Sequence, residues 1–282
     1  GKGMWPDTFW NIRDGRRDRA ALFGEWEAQW TPQWLSHLGL RHETVTMDAG
    51  PVQGYSAAFS PTDQAAFNAA DRRHTDRNPN LVALLRYKPA TTLTLEGGYA
   101  MKTRSPNLYE RYAWSTHGMA MRMINFVGDG NGYVGNLTLQ PETAHTVSAA
   151  AEWQAEDGQG WHLRVSPHLT QVEDYIDAER CFARSTNTAC TAANLTLQDG
   201  FVYLRYVNQS ARLYGVDLSG DLQLGEWGAL GEVGTRAQIS WLRGTNRDTG
   251  DQLLNIMPLH ARFTLEQSRP LAGGRWNGAL EL

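Results

Sequence analysis

Apolar and polar residues alternate with a period of two along most of the chain. In residues 20–30, for example, even positions are apolar or aromatic and odd positions are mainly polar. Successive side chains of a β-strand point to opposite faces, so this alternation predicts strands with one apolar face. It predicts nine strands and the beginning of a tenth, at residues 20–30, 34–43, 81–87, 93–102, 146–153, 161–170, 214–222, 232–241, 260–266 and 276–282.

The connections between these strands alternate in length. Short turns follow Trp30, Tyr87, Trp153, Leu224 and Gln267. Long loops occupy residues 48–80, 103–142, 173–200 and 243–258. Tryptophan and tyrosine cluster beside the short turns, as in the aromatic girdle of outer-membrane barrels. The pattern therefore favours a transmembrane β-barrel over the alternative, a secreted β-sandwich or propeller.

Composition excludes several other classes of protein. The 282 residues are 41% hydrophobic and 20% charged, with a formal net charge of −4. This near-neutral balance has no basic block, so we expect no nucleic-acid partner. No apolar run is long enough for a membrane-spanning helix, and the aromatic content excludes disorder. A mean hydropathy of −0.49 still fits a membrane barrel, because alternating strands are polar on average.

The two ends of the chain suggest a part of a longer protein. The first residues lack the basic and apolar regions of a signal peptide, and residues 276–282 resemble half of an alternating strand. We therefore interpret residues 1–282 as a partial barrel that is truncated at both ends.

Familiar catalytic and nucleotide-binding patterns are weak. Residues 130–135 match G-x-G-x-x-G, but they follow no predicted strand and open no amphipathic helix. We interpret them as a glycine-rich loop, and the lack of further acidic ligands after Asp129 disfavours a calcium loop. No Gly-x-Ser-x-Gly or His-Glu-x-x-His pattern occurs, so we expect no enzymatic activity.

Two cysteines, Cys181 and Cys190, lie nine residues apart in a long polar loop. In an oxidising compartment such a pair favours a disulfide that closes the loop. Use of the pair in metal binding or redox chemistry is the alternative.

Methionines concentrate in one loop, where His117, Met119, Met121 and Met123 fall within seven residues. Thioether sulfur and imidazole nitrogen are ligands for soft copper(I), so these four residues are candidate metal ligands. The alternative is that the methionines only pack the loop against its neighbours.

Three stretches resemble TonB-dependent outer-membrane receptors. They are residues 102–112, with Arg104, Pro106, Asn107, Leu108, Tyr109 and Glu110, residues 135–146, with Pro141 and Glu142, and residues 206–217, with Gly215 and Val216. The resemblance implies an all-β, antiparallel transmembrane barrel in the bacterial outer membrane. The chain would supply about ten strands of a 22-stranded barrel, without the plug domain.

The resemblance also implies a function. Such receptors import a scarce nutrient by plug movement that TonB drives, and TonB would contact the plug region outside this chain. Residues 7–12, 47–52 and 114–135 are similar to the copper-receptor subfamily. Copper is therefore the expected substrate, with no resident cofactor. The alternatives are a receptor for a siderophore or other metal chelate, a non-transport barrel (adhesin or enzyme), and a soluble carbohydrate-binding β-protein.

The polar faces of the predicted strands would line the barrel lumen. Their residues are expected to face the plug or water rather than to catalyse a reaction, whereas the apolar faces contact outer-membrane lipid. The residues in question are Glu25, Arg41, Glu43, His162, Arg164, His168, Asp217, Glu232 and Arg236.

Overall fold

The computed structural model describes residues 7–125, 128–185 and 187–282. The prediction that the first residues are not a signal peptide concerns residues 1–6 and lies outside the described residues. Ten long strands form one antiparallel sheet in chain order. They are β1 (Arg16–Gln29), β2 (Trp34–Asp48), β3 (His74–Ala90), β4 (Leu93–Arg104), β6 (Glu142–Gln154), β7 (Trp161–Arg180), β8 (Tyr203–Glu226), β9 (Glu232–Asn246), β10 (His260–Leu271) and β11 (Gly274–Glu281). All ten predicted strands are confirmed.

A short eleventh strand, β5 (Gly132–Val134), pairs in parallel with β8. Its residues belong to the stretch that the sequence assigned to a glycine-rich loop, and that assignment was wrong for them. Among the described residues, β1 and β11 do not pair with each other, so the sheet is not closed.

The strand register gives the sheet one apolar face. Directly paired residues share a face. One row crosses six strands through Leu38, Ala83, Tyr99, Val147, Leu169 and Tyr214. On β8 the apolar band extends from Tyr214 to Leu222, about 27 Å along the strand at roughly 3.4 Å per residue. At a strand tilt of roughly 40°, this length spans about 21 Å across the bilayer, close to the roughly 25 Å height of the apolar band of membrane barrels.

The opposite face carries a ladder of ion pairs. The Arg86 guanidinium lies 2.7 Å from the Glu96 carboxylate, which also binds Arg164 at 2.6 Å. Arg164 continues to Glu152 at 2.8 Å, and Glu152 lies 3.3 Å from the His162 ring. All nine residues expected to line the lumen lie on this face, because the strand register alternates in step with the sequence.

The long loops contain short helices and the extended ends of strands. The helices are α1 (Pro61–Ala69), α2 (Leu108–Tyr112), α3 (Gly118–Arg122) and α4 (Ala192–Thr196). The predicted loop limits were too wide: β3 already begins at His74, and β7 continues to Arg180. No helix of the described residues is long and apolar enough to cross a membrane.

Apolar packing concentrates where the long loops meet the polar face. On β2, Val45 and Met47 are fully buried against Phe67, Tyr112 and Trp114. Residues 49–73, 105–141 and 181–202, as far as they are described, fold over this end of the sheet, and we call them the lid. The lid therefore rests on the lumen side of the sheet, at the end opposite the short turns.

Candidate functional site

Arg104, the last residue of β4, ties the lid to the sheet. Its Nε lies 2.6 Å from the Glu142 carboxylate on β6, and its Nη1 lies 3.1 Å from Glu110 on α2. The second oxygen of Glu142 accepts a hydrogen bond from the Ile176 backbone N–H at 3.0 Å. Charge-assisted hydrogen bonds of this kind are stronger than neutral ones, so Arg104 fixes α2 relative to three strands.

The motif residues around Arg104 begin α2. The Asn107 side chain caps the helix and accepts hydrogen bonds from backbone N–H groups, while Glu110 accepts one from the Asn107 backbone at 2.7 Å. This reciprocal arrangement is a capping box. Pro106 is fully buried and Leu108 packs against the apolar core, whereas Tyr109 is exposed.

A buried ion pair between Arg111 of α2 and Asp76 of β3 attaches α2 to the sheet. The Arg111 side chain is only 1% exposed, and its Nη1 lies 3.2 Å from Asp76 on β3. Its Nη2 donates to the Leu139 carbonyl at 2.8 Å. Sequence reasoning missed this pair: Arg111 lies in the motif stretch 102–112, but Asp76 is 35 residues away in the chain and no pattern in the sequence links the two.

The other motif residues stabilise backbone crossings. Gln140, next to Pro141, exchanges two hydrogen bonds with Asn208 of β8: its N–H donates at 2.8 Å, and its carbonyl accepts at 3.0 Å. A Cβ atom on Gly215 would collide with a backbone carbonyl of β9, so only glycine fits there. Val216 lies on the apolar face, where it pairs with residues of β7 and β9.

His117 begins the methionine-rich helix α3. Its Nδ1 accepts a hydrogen bond from the Met119 backbone N–H at 3.3 Å. Its ring stacks on Phe59, with centroids 4.2 Å apart. Burial lowers the pKa of His117 below its usual 6.5, so the imidazole is neutral at neutral pH. A neutral imidazole is the form that binds metals.

The structure divides the three candidate methionines between two environments. Met121 is fully buried beside Cys181, Cys190 and Val134. Met119 and Met123 are 40% and 62% exposed, and their spacing of four places them on one helical face. The structure thus leaves the side chains of Met119 and Met123 exposed but turns Met121 inward. Within the described ranges, no three His, Cys, Asp or Glu side chains come together as metal ligands.

The two cysteines close a loop that braces this helix. Their sulfurs are bonded and buried, with Cα atoms 4.9 Å apart. Within the closed loop, the Ala189 N–H donates to the Thr116 carbonyl at 2.8 Å. The Asn187 amide donates to the Ala58 carbonyl at 2.6 Å. Thr116 precedes His117 and Ala58 precedes Phe59, so the loop supports both the imidazole and the ring stacked on it.

The profile of one protein family, described as TonB dependent receptor-like, beta-barrel, matches residues 3–281. The chain belongs to the TonB-dependent receptor family. The resemblance and the fold class expected from the sequence are confirmed, and so is the bacterial outer membrane as the location. In a TonB-dependent receptor the long loops are extracellular, so the lid faces the outside of the cell and the apolar face contacts lipid.

Several solved structures of TonB-dependent receptors share the fold. The copper transporter OprC is 19% identical, with a TM-score of 0.61 over 90% of this chain and 32% of OprC. The siderophore receptor PirA from Acinetobacter baumannii is 14% identical, with a TM-score of 0.56 over 95% of this chain and 42% of PirA. The ferric-catecholate receptor Fiu from E. coli K12 is 16% identical, with a TM-score of 0.54 over 92% of this chain and 33% of Fiu.

These likenesses show the fold alone. The chain spans about a third of the length of OprC and less than half of PirA. No curated protein matches this chain. Members of the family are transporters rather than enzymes, and the structural relatives include receptors for both copper and siderophores.

Proposed function

We propose that this chain is part of a receptor that captures copper(I) on its lid and imports it through the outer membrane. The observation that carries the proposal is the exposure of Met119 and Met123, which follow His117 closely in the chain, together with the neutral imidazole of His117. A copper transporter, OprC, is among the structures that share the fold of this chain.

The ligand chemistry suits copper(I) better than a hard cation. Thioethers and imidazole select soft metals, whereas magnesium and calcium prefer oxygen ligands. The Nδ1 lone pair of His117 is engaged by the Met119 N–H, so binding through Nδ1 would replace that hydrogen bond. The sequence also predicted Met121 as a ligand, but its side chain is buried beside the two cysteines, so we propose that it anchors α3 and does not bind the metal.

Transport would follow from capture at the lid. The bound metal would be held above the plug, and TonB, which contacts the plug region outside this chain, would move the plug and open a path. The ion-pair ladder from Arg86 to His162 would line that path and keep it hydrated. No covalent bond in the substrate is made or broken, so we propose transport without catalysis.

Paired methionine-to-leucine variants test the site. Leucine has nearly the volume of methionine but no sulfur, so such exchanges are usually tolerated in a core. We expect M119L/M123L to weaken copper(I) binding at least tenfold in competition with a chromogenic chelator. The matched control M121L should keep the wild-type affinity. Equal affinities for wild type and M119L/M123L would reject the lid site and leave the family membership intact.

Import of a metal chelate is the second candidate. The relatives PirA and Fiu are receptors for siderophores or ferric catecholates, and the lid exposes two aromatic rings, Phe182 and Phe201, at 50% and 59%. An organic chelate would contact such rings rather than thioethers. Binding of a ferric chelate that F182S/F201S abolishes and M119L/M123L leaves unchanged would favour this function over copper import.

A further inference from the structure

The apolar face of the sheet, which we also call the outward face, changes from apolar to polar residues where the apolar band of β8 and β9 ends. This upper edge of the band is on the side of the long loops. On β8, Arg212 lies one outward position above Tyr214, and on β9, Arg243 lies one outward position above Trp241. The register pairs Tyr214 with Arg243 and Arg212 with Thr245. The two arginines are therefore diagonal neighbours on the same face, within reach of a common ligand.

These two arginines lack the carboxylate partners that several other strand arginines have, among them Arg86, Arg104 and Arg164. Arg236 and Arg262, on the inward face of β9 and β10, each lie 3.4 Å from a glutamate. Among the described residues, Arg212 and Arg243 form no ion pair, and the buried Nε of Arg212 has no hydrogen-bond partner. An unpartnered buried donor of a charged group is costly, which points to a ligand that accepts from it.

Hydrogen-bonding side chains continue the row toward β6. Arg212 pairs with Gln171 on β7, and Gln171 pairs with His145 on β6. The Nδ1 of His145 is hydrogen-bonded to the Tyr99 hydroxyl at 2.8 Å. On the outward face of β7 the first carboxylate, Glu173, lies one position farther from the apolar band. The row itself is therefore polar and cationic.

The depth of the row identifies the ligand chemistry. It lies immediately above the apolar band on the side of the long loops, where the outer-leaflet headgroups meet the hydrocarbon. Arginine binds phosphate through two parallel hydrogen bonds, and its aliphatic stem tolerates an apolar surface. We propose that Arg212 and Arg243 form a binding site for the phosphorylated headgroup of an outer-leaflet lipid. This site is separate from the copper site that we propose on the lid.

The proposal can be tested by measuring lipid binding to the complete receptor, purified in detergent. The probe is diphosphorylated lipid A, with dephosphorylated lipid A as the reference, and binding is measured by native mass spectrometry. At about 1 kcal/mol for each arginine near a phosphate surface, R212Q/R243Q should bind the phosphorylated lipid about 30-fold more weakly. The matched control R236Q/R262Q removes the same charge from the inward face and should bind like wild type.

Further arms separate the lipid site from misfolding and from simple anion binding. R212K/R243K keeps the charge and should retain most of the affinity, and heat-modifiable gel mobility should show that all variants are folded. Wild type should prefer the phosphorylated lipid, and inorganic phosphate should not displace it. Equal binding by R212Q/R243Q and wild type, equal loss in the inward control, no preference for phosphorylated lipid, or displacement by inorganic phosphate would each overturn the proposal.

Discussion

The disulfide-closed loop offers the sharpest test of how the lid holds α3. Replacing both Cys181 and Cys190 with serine removes a bond that closes a loop with a sequence separation of 9. The chain-entropy relation for a loop of this size gives a stabilisation of about 2.6 kcal/mol. Local opening of the loop should therefore become about 70-fold more frequent.

The loss should reach α3 because the closed loop contacts it from two sides. Met121 is buried against the two cysteines, and the Ala189 N–H is hydrogen-bonded to the Thr116 carbonyl. We expect the amides of Ala189 and Met121 to exchange with deuterium about 70-fold faster in C181S/C190S, measured by hydrogen-exchange mass spectrometry. A strand peptide covering residues 214–222 serves as the internal control and should not change.

Two results would refute this reasoning. Faster exchange confined to residues 182–189, with Met121 unchanged, would show that the loop does not support α3. Ellman titration of the oxidised protein should find no free thiol, and two reactive thiols would contradict the bond itself. Reduction of the wild-type protein should reproduce the exchange pattern of C181S/C190S, since it breaks the same bond.

Three further predictions concern the lid. R111M should destabilise it by about 3–5 kcal/mol because it strands the buried Asp76 carboxylate, and protease cleavage within residues 105–125 should accelerate; R111M/D76N should recover part of the loss. G135A should lower the folded yield because its Cβ would lie 2.9 Å from three backbone atoms, whereas G97A has open space. Copper(I) affinity should stay constant from about pH 8 to 6.5 and fall as acid protonates His117, whose pKa burial lowers; a decline that begins above pH 6.5 would contradict this.

The sequence predicted strands best where one face contacts lipid. In β3, residues 81–87 were recognised as a strand because every second side chain from Leu81 to Tyr87 is apolar and lies in the apolar band, although Val82 and Leu84 on the other face are apolar as well. Its first seven residues were assigned to a loop, since outward positions such as Thr75 and Arg77 are polar like the inward ones. Once both faces are polar, alternation disappears although the strand continues. Strand identity was therefore predictable, and strand length above the band was not.

The candidate site was predictable only in its chemistry. Methionine and histidine spacing singled out His117, Met119, Met121 and Met123, but it gave no sign that Met121 turns inward, because that depends on packing against the cysteine loop. Phe59, which stacks on His117, lies far away in the chain. Such contacts form only when separate loops meet over the sheet.

Copper uptake by cells tests the central claim most directly. Cells that express the complete receptor would be supplied with isotopically labelled copper at limiting concentration. The experiment would be done with and without functional TonB. The account predicts TonB-dependent accumulation of copper that M119L/M123L reduces and M121L does not. Copper accumulation that is the same with and without the receptor, together with TonB-dependent uptake of a ferric chelate, would contradict it.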